Sequence, residues 1–285
     1  MTLIDGKSIG AKVKDEIKSA ASDLAAKGVK PALAVILVGE DAASKTYVAS
    51  KEKACATCGI RSVAHRLSSE VSEAALLELI ENLNEDESID GILVQLPLPR
   101  HIDTNKILEK ISPQKDVDGF SAINVGKLTS GLSDGFVPCT PLGVMRLLEE
   151  YGVQIAGKNA VVLGRSNIVG KPMASLLLNA DATVTIAHSK TKDLKRLCAD
   201  ADILVAAVGK AHFVGADMIK QGAVVIDVGI NRGEDGKLRG DVDFDAVASK
   251  CSFITPVPGG VGPMTIAMLL SNTIKSAKNR LRQRA

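Results

Sequence analysis

Residues 160–172, Ala160-Val161-Val162-Leu163-Gly164-Arg165-Ser166-Asn167-Ile168-Val169-Gly170-Lys171-Pro172, join a short β-branched run to a glycine turn and a helical pattern. This is how a dinucleotide-binding βαβ unit begins, because the glycine permits a tight turn and the helix N-terminus offers backbone N–H groups to a phosphate. The two glycines stand one residue further apart than in the usual Gly-x-Gly-x-x-Gly fingerprint. Taken alone, the turn is therefore also compatible with an ordinary βαβ connection that carries solvated basic residues.

The next strand-like run, Thr183–Ala187, ends at His188-Ser189-Lys190. An NAD-specific site has an acid at this point, which holds the ribose hydroxyls, and this chain has none there. Ser189 and Lys190 can donate to a phosphate, and the guanidinium of Arg165 can bind one through two parallel hydrogen bonds. The pattern therefore predicts a site for NADP rather than NAD.

Composition excludes several classes of function. With 285 residues the chain is long enough for two modest domains, and a net charge of +2 gives no argument for nucleic acid or an anionic membrane surface. The absence of Trp leaves few platforms on which bases could stack. No apolar run is long enough to cross a bilayer, and the N-terminus lacks a signal-peptide pattern. We expect a cytoplasmic protein with no nucleic-acid and no membrane partner.

The five cysteines are scattered and odd in number, which favours a reducing compartment. Cys55 and Cys58 have the spacing of a redox or half-zinc motif, but no second pair exists. They also lie near the end of a helical pattern that Gly59 can cap, so we interpret them as buried structural thiols. The four histidines show no ligand spacing, and we expect no metal site.

Strand-like apolar runs alternate with helical patterns along the chain, which predicts an α/β protein built from parallel βαβ units. The predicted strands are Ala32–Val38, Gly91–Leu96, Ala160–Leu163, Thr183–Ala187, Ile203–Val208, Val224–Val228 and Ser252–Ile254. The loop Pro138–Pro141 separates a first domain, residues 1–139, from a Rossmann-type dinucleotide domain, residues 140–264. A final helix from about Thr265 to Arg282 is expected to pack back on the first domain, which would then comprise 1–139 and 265–285. The basic end, Arg280–Arg284, is interpreted as a solvated helix terminus.

One predicted helix of the first domain, about Ser44 to Cys58, carries Ser44, Tyr47 and Lys51 at spacings of three and four. This spacing puts all three side chains on one face of the helix, close to a glycine-marked strand end where open α/β sheets bind ligands. A lysine beside an aromatic ring and withdrawn from water can act as a base or proton donor. The alternative is an exposed amphipathic helix whose lysine extends into solvent.

Two further loops of the first domain carry polar groups. Gln95 stands at the end of the strand Gly91–Leu96, directly before Pro97-Leu98-Pro99, which would make a stiff loop. Asp116 and Asp118 follow in Lys115-Asp116-Val117-Asp118-Gly119. A carboxylate there can accept two parallel hydrogen bonds from an aminopyrimidinone edge, and paired acids also suit a metal or a general acid–base dyad. Taken singly, each of these motifs is also compatible with ordinary turn chemistry.

In combination, and in this order, the motifs resemble those of the bifunctional methylenetetrahydrofolate dehydrogenase/methenyltetrahydrofolate cyclohydrolase family over essentially the whole chain. The motifs that carry the resemblance are Tyr47-Val48-x-x-Lys51, Val94-Gln95-Leu96-Pro97-Leu98-Pro99, Lys115-Asp116-Val117-Asp118-Gly119, Pro138-Cys139-Thr140-Pro141, Gly164-Arg165-Ser166-x-Ile168-Val169-Gly170 and Thr255-Pro256-Val257-Pro258-Gly259-Gly260-Val261-Gly262-Pro263-Met264-Thr265. The last of these is the most specific.

The resemblance implies tetrahydrofolate derivatives as substrates, NADP as cofactor, one-carbon metabolism that feeds purine biosynthesis, and a homodimer. It implies that Lys51 is the central residue of the cyclohydrolase step, with Gln95 holding its amine. It further implies folate-binding roles for Ser44 as a supporting polar group, Tyr47 stacking on the ring system, Asp118 on the pterin edge, and Gly259, Gly260 and Pro263 along the last motif. Cofactor contacts are implied for Gly164, Arg165, Ser166 and Ser189 at the phosphates, and for Thr140 and Ile230 near the nicotinamide.

Two alternatives stay open on the sequence alone. The first is another two-domain NADP oxidoreductase of the shikimate-dehydrogenase kind, against which the last motif and Asp116-Val117-Asp118-Gly119 speak. The second is a catalytically silent NADP- or folate-binding protein, which the presence of Tyr47, Lys51, Gln95 and Asp118 disfavours.

Overall fold

A computed structural model describes residues 1–283 of the chain. Its contacts divide the chain into two compact units, which we name by their main sheets. The six-strand unit comprises residues 1–11 and 140–265, and the three-strand unit comprises residues 12–139 with the described residues from 266 onward.

Eleven strands occur among the described residues. In chain order they are β1 (Thr2–Leu3), β2 (Ala32–Val38), β3 (Arg61–Leu67), β4 (Gly91–Val94), β5 (Asn159–Leu163), β6 (Thr183–Ala187), β7 (Ile203–Ala206), β8 (Ala223–Asp227), β9 (Asn231–Arg232), β10 (Leu238–Arg239) and β11 (Cys251–Ile254).

Ten α-helices accompany them in the same part of the chain. They are α1 (Gly6–Ala26), α2 (Ala42–Thr57), α3 (Glu73–Glu85), α4 (Thr104–Lys110), α5 (Ala122–Thr129), α6 (Cys139–Glu150), α7 (Gly170–Asn179), α8 (Leu194–Ala199), α9 (Phe244–Val247) and α10 (Val261–Gln283). The structure contains no helix, within residues 1–283, that is long and apolar enough to span a membrane.

The three-strand unit is built on a parallel sheet in the order β3-β2-β4. Every residue of the central strand β2 is buried, which explains its continuous apolar run, because helices cover both faces of a parallel sheet. The edge strand β3 is half exposed and carries Arg, Ser and His among its apolar residues. That polar composition hid β3 from sequence analysis, whereas β2 and β4 were predicted correctly.

Helix α10 is anchored to the three-strand unit by a buried ion pair. The Arg280 guanidinium donates to both oxygens of Asp90, at 2.7 and 3.0 Å, and Asp90 is only 2 % exposed. The same carboxylate accepts the backbone N–H of Ala32 at 2.9 Å, at the start of β2. Removing one partner of such a pair costs about 3–5 kcal/mol, since the other charge stays buried. The prediction that the last helix packs on the first domain is thus confirmed. The interpretation of the basic end as a solvated terminus is wrong for Arg280, whose side chain is only 20 % exposed because it pairs with Asp90. Arg284, at the end of that basic segment, lies outside the described residues.

The six-strand unit contains a parallel sheet in the order β1-β11-β8-β7-β5-β6, together with the antiparallel ribbon β9–β10. The strand order reverses direction around β5, with β6 on one side and β7 on the other, as in a Rossmann-type fold. The α/β class and the Rossmann-type sheet are confirmed.

One difference from the sequence-based domain description concerns the first eleven residues. They belong to the six-strand unit, because Thr2 and Leu3 pair with Phe253 and Ile254 of β11 and extend its sheet. A two-residue strand has no periodicity, so nothing in the sequence revealed it. Helix α10 likewise begins at Val261, four residues before the predicted start.

Candidate functional site

Helix α2 places three predicted residues of the three-strand unit. Asp41 caps the helix, since its carboxylate accepts the backbone N–H of Ser44 at 2.7 Å. Ser44 itself is buried, Tyr47 is 46 % exposed, and Lys51 is half-buried. An aromatic ring left half open to solvent beside a lysine is suited to stacking on a flat ligand rather than to core packing.

The structure brings Lys51 and Gln95 together. The Lys51 ammonium donates a hydrogen bond of 2.9 Å to Gln95 Oε1, and Gln95 Nε2 donates to the carbonyl of Leu96 at 2.7 Å. The backbone N–H of Gln95 donates to Ile36 in β2, which fixes the point where the chain leaves β4. Both ends of the Gln95 amide are therefore held, and the lysine amine has a defined direction with further N–H donors left for a ligand.

The two acids that follow β4 have different environments. Asp116 is buried and accepts hydrogen bonds from the backbone of Phe120 and Ser121 and from the amide of Asn124. Asp116 therefore stabilises the turn, and the alternative of an acid–base dyad is not supported. Asp118 remains half-buried with one side-chain donor, the thiol of Cys139, 3.4 Å from Oδ1.

Burial raises the pKa of the Asp118 carboxyl, and the charge of Asp116 acts in the same direction, whereas the nearby Lys51 ammonium opposes the shift. Burial also raises the pKa of the Cys139 thiol well above its usual value, and the Asp118 charge reinforces this. The thiol therefore stays protonated and serves as a hydrogen-bond donor rather than a nucleophile. The pair Cys55 and Cys58 is buried too, and burial raises the pKa of Cys55 to about 12.

In the six-strand unit, the turn after β5 is shaped by backbone contact. Gly164 has φ of +126°, and a Cβ there would overlap with the carbonyl oxygen of Ala207, which follows β7. A Cβ at Gly170 would overlap with the carbonyl of Gly164. Only glycine fits at either position, which explains why both ends of this turn are glycine. Arg165 and Ser166 between them are exposed.

Ser166 has a local role that the sequence did not reveal. Its Oγ accepts the backbone N–H groups of Val169 and Gly170, at 3.2 and 3.3 Å, and its carbonyl accepts that of Lys171. Gly170 is the first residue of α7, so Ser166 satisfies the first N–H group of the helix and the one just before it. A phosphate at this turn would meet the Ser166 hydroxyl and the free Arg165 side chain rather than bare N–H groups.

The carboxyl end of β6 lies beside that of β5, since Ala187 pairs with Leu163. The chain then makes a tight turn in which the Thr191 backbone donates to the carbonyl of His188. Ser189 and Lys190 project from this turn into solvent. The cradle at Gly164 and the basic, acid-free turn after β6 fit a dinucleotide that carries an additional phosphate.

The remaining predicted residues of the six-strand unit surround the turn Pro258–Thr265. Gly259 has φ of +106°, and its carbonyl accepts the backbone N–H of Lys7 at 3.0 Å. The Thr140 and Thr265 hydroxyls share a hydrogen bond of 2.9 Å. A Cβ at Gly262 would lie 3.5 Å from Cδ1 of Ile230, whose side chain is 46 % exposed. Thr140, Ile230 and the glycine turn are thus neighbours in one unit.

A pair of buried carboxylates at the carboxyl end of the same sheet was not predicted from the sequence. Asp241 accepts the backbone N–H groups of Val208, Gly209 and Lys210, between 2.6 and 2.9 Å. Asp227, at the end of β8, accepts those of Gly229, Asp241 and Val242, each at 2.9 Å.

The two carboxylates therefore hold the loops that follow β7 and β8. Burial raises the pKa of Asp227 to about 6, against the opposing effect of its three N–H donors. An acid that ends the apolar run Val224–Ile226, two residues before a glycine, was the available signal for Asp227.

Comparison with known proteins agrees with both units. Residues 4–118 match the family model described as the tetrahydrofolate dehydrogenase/cyclohydrolase catalytic domain, and residues 138–281 match that of the NAD(P)-binding domain of the same family. A curated relative, the bifunctional protein FolD of Campylobacter hominis, is 70 % identical over 283 residues, which is 99 % of each chain.

Two solved structures are similar throughout. The bifunctional FolD enzyme of Campylobacter jejuni has a TM-score of 0.97 and 58 % identity, and the match covers 98 % of this chain and 99 % of that one. The Trypanosoma brucei dehydrogenase-cyclohydrolase, solved with NADP cofactor and an inhibitor, has a TM-score of 0.94 and 43 % identity with 99 % of each chain covered. The alternative of a shikimate-dehydrogenase-like enzyme is not supported, and the chain belongs to the bifunctional tetrahydrofolate dehydrogenase/cyclohydrolase family.

Proposed function

We propose that this chain oxidises 5,10-methylene-tetrahydrofolate to 5,10-methenyl-tetrahydrofolate with NADP and hydrolyses that product to 10-formyl-tetrahydrofolate. The observation that carries the proposal is the hydrogen bond of 2.9 Å between Lys51 and Gln95, in a chain that also has the glycine cradle of a dinucleotide site. Lys51 can transfer the proton that the hydrolysis requires, and the glycine cradle can bind the dinucleotide that accepts the hydride. The three-strand unit is proposed to act on folate and the six-strand unit to bind NADP.

In the oxidation, NADP supplies the nicotinamide carbon that accepts the hydride. The protein has to orient its ligands, because the folate nitrogens stabilise the cation that remains. Gly164, Arg165, Ser166 and Ser189 are proposed to hold the cofactor phosphates, with Thr140 and Ile230 near the nicotinamide. The exposed Arg165 guanidinium is free to bind a phosphate bidentately.

Folate recognition is assigned mainly to groups that the three-strand unit leaves available, and in part to the turn Pro258–Thr265 of the six-strand unit. The half-exposed Tyr47 ring is proposed to stack on the folate ring system, and Asp118 to accept hydrogen bonds from the aminopyrimidinone edge. Ser44 is buried in the first turn of α2, the helix that carries Tyr47, and is proposed to act as a supporting polar group. Gly259, Gly260 and Pro263 keep their predicted roles in substrate binding, since glycine lets a ligand approach the backbone closely.

In the hydrolysis, water attacks the methenyl carbon and a proton must move before the ring opens. Lys51 is proposed to give an ammonium proton from Nζ to the ring nitrogen that leaves and to take one back from the oxygen that water has added, while Gln95 fixes the direction of the amine. The half-buried position of Lys51 limits competing hydration and leaves the amine accessible to a ligand.

The test adds 5,10-methylene-tetrahydrofolate and NADP to the purified protein and follows NADPH and the methenyl cation by absorbance. We expect NADPH to form in step with substrate loss, while the methenyl signal stays low because it is hydrolysed. NADPH formation with a methenyl signal that decays no faster than in buffer would contradict the cyclohydrolase assignment. Binding of both ligands without NADPH formation would favour a silent binding protein.

The assembly and location are proposals as well. A homodimer is supported by the edge strand β6, which leaves one row of backbone groups unpaired and Ile186 exposed, and by Leu178 of α7, which is 61 % exposed. A cytoplasmic location is supported by five cysteines that are all free and buried. The 10-formyl-tetrahydrofolate that the enzyme forms would serve purine biosynthesis.

A further inference from the structure

Two loops of the three-strand unit meet beside Asp118. We call residues 115–119 the Asp118 loop and residues 136–139 the Cys139 loop. Gly119 has φ of +70°, and a Cβ there would lie 2.8 Å from the carbonyl oxygen of Phe136 and from the carbonyl carbon of Val137. The two backbones are therefore in direct contact, and any change in their spacing must shift Asp118.

A single side chain bridges the two loops. Asn272 of α10 is only 3 % exposed, and its Nδ2 donates to the carbonyl of Val117 at 2.8 Å and to that of Val137 at 3.0 Å. An amide nitrogen has two hydrogens, so each loop receives one of them. Val117 directly precedes Asp118, and Val137 lies two residues before Cys139.

The second loop also contacts the first through a side chain. The Cys139 thiol lies 3.4 Å from both Asp118 Oδ1 and the carbonyl oxygen of Val117, so its one proton can serve either acceptor. The Asn272 nitrogen is 3.8 Å from the same sulfur. Asn272 thus controls the position of the thiol that contacts the Asp118 carboxylate, as well as the backbone that carries it.

We propose that Asn272 is a positioning residue for substrate recognition: by holding the two loops together it directs the Asp118 carboxylate at the aminopyrimidinone edge of the folate. The inference rests on the proposed role of Asp118. It assigns Asn272 more than an anchoring role, because one donated bond reaches the residue directly before Asp118 and the other reaches a residue two positions before Cys139. Ser276, one turn further along α10, supplies the contrast, since its hydroxyl donates only to Gln114 at 2.9 Å.

The main test uses Asn272→Asp, which keeps the shape of the side chain and removes both N–H donors. We expect the KM for 5,10-methylene-tetrahydrofolate to rise about tenfold, the effect of misaligning one hydrogen bond to a charged group. The KM for NADP should change less than twofold, and kcat less than the folate KM. Ser276→Ala, the matched control on the same helix, should leave both KM values within twofold of wild type.

A second variant covers the case in which a buried carboxylate prevents folding. Asn272→Ser is uncharged and too short to reach both carbonyls, so it should raise the folate KM in the same direction. The dissociation constant of tetrahydrofolate, measured by calorimetry without NADP, should rise in parallel. Wild-type folate affinity in both folded Asn272 variants would overturn the inference.

A double-mutant cycle separates positioning from general destabilisation. If Asn272 acts through Asp118, the Asn272 substitution should change tetrahydrofolate affinity less than twofold in an Asp118→Asn background. A full tenfold effect in that background would overturn the inference.

The Asp118→Asn variant alone tests the proposed function. Unchanged folate affinity there removes the recognition role of Asp118 and the inference with it. Weakened affinity in Asp118→Asn with no effect of Asn272 refutes the inference only.

Discussion

The two units use different means to prepare for a ligand. In the three-strand unit, the chemistry is carried by side chains with few partners, such as Lys51 on Gln95 and Asp118 beside Cys139. In the six-strand unit, it is carried by the course of the backbone, which glycines permit and buried carboxylates hold. Substitutions of these side chains in the three-strand unit should therefore change catalytic rates with little loss of stability. Many substitutions in the six-strand unit should change stability and ligand binding together.

The largest expected effect tests the first half of this comparison. Lys51→Met keeps most of the side-chain length and removes the amine, so cyclohydrolase activity should fall by at least about 10²–10⁴-fold, the usual contribution of acid–base catalysis. Dehydrogenase activity should remain measurable, with methenyl-tetrahydrofolate accumulating. A wild-type cyclohydrolase rate in a folded Lys51→Met protein would contradict the catalytic role of Lys51 and favour the alternative of a helix lysine without a role in catalysis.

The next effect tests the second half. A Cβ at Gly6 would overlap with the carbonyl of Gly260, whereas a Cβ at Gly10, one turn later on α1, would make an ordinary contact of 3.5 Å with Pro263. Gly6→Ala should lower the free energy of unfolding by about 3 kcal/mol, the upper range for overpacking, and weaken tetrahydrofolate binding. Gly10→Ala is the matched control. It should leave tetrahydrofolate binding unchanged and should not lower the free energy of unfolding, because alanine is favoured over glycine inside a helix. Urea unfolding measures the difference, and equal stabilities would show that the turn is not held by close contact.

A smaller effect is expected where the six-strand unit does rely on an exposed side chain. The protein should prefer NADP over NAD by more than tenfold in kcat/KM, because a bidentate arginine–phosphate contact contributes roughly 1.5–3 kcal/mol. Arg165→Ala should raise the KM for NADP and leave the NAD reaction nearly unchanged, with little change in the unfolding temperature. Comparable efficiency with the two cofactors in the wild type would contradict this assignment.

The smallest effect concerns pH and Asp227. Its pKa is raised to about 6 in the folded protein, against 3.8 ordinarily, so the folded state takes up a proton before the unfolded state does. This carboxyl therefore stabilises the fold more at pH 5 than at pH 7, by about 1 kcal/mol, and the benefit is lost as pH rises through 6.

The unfolding free energy of wild type and Asp227→Asn, measured at both pH values, isolates this contribution. The decrease in unfolding free energy between pH 5 and pH 7 should be smaller in Asp227→Asn than in wild type. Identical slopes would mean that the three N–H donors offset burial completely.

Much of the fold could be predicted from sequence because it follows from repeated apolar patterns. β2, β5, β7 and β8 are runs of mostly buried apolar residues bounded by glycine or polar turns, and β6 is an exposed edge strand rich in β-branched residues. The type and approximate limits of these five strands were predicted. The strands β1, β3, β9 and β10 were missed. Three of them are only two residues long, and β3 has a polar, partly exposed composition. Such a segment is a strand only because it pairs with another strand, and the local sequence pattern does not show which strand that is.

The candidate site shows the same limit. Two features of the site could be recognised from the sequence alone: Lys51 one helical turn after Tyr47, and the absence of an acid after β6. Asp116 and Asp118 could not be told apart, because only the fold turns one toward backbone N–H groups and leaves the other available. Asn272 was invisible for a related reason, since its partners lie 135 and 155 residues away.

The ion pair between Arg280 and Asp90 has a consequence for how the protein is made. The two residues are 190 positions apart, and the arginine is nearly the last residue of the described chain. At about 5–20 residues per second, a ribosome needs roughly 10–40 seconds to deliver Arg280 after Asp90. Throughout that interval the β4 end of the three-strand sheet lacks the cation that its buried carboxylate requires. A nascent chain stalled anywhere before α10 should therefore expose this end of the sheet to chaperones and proteases.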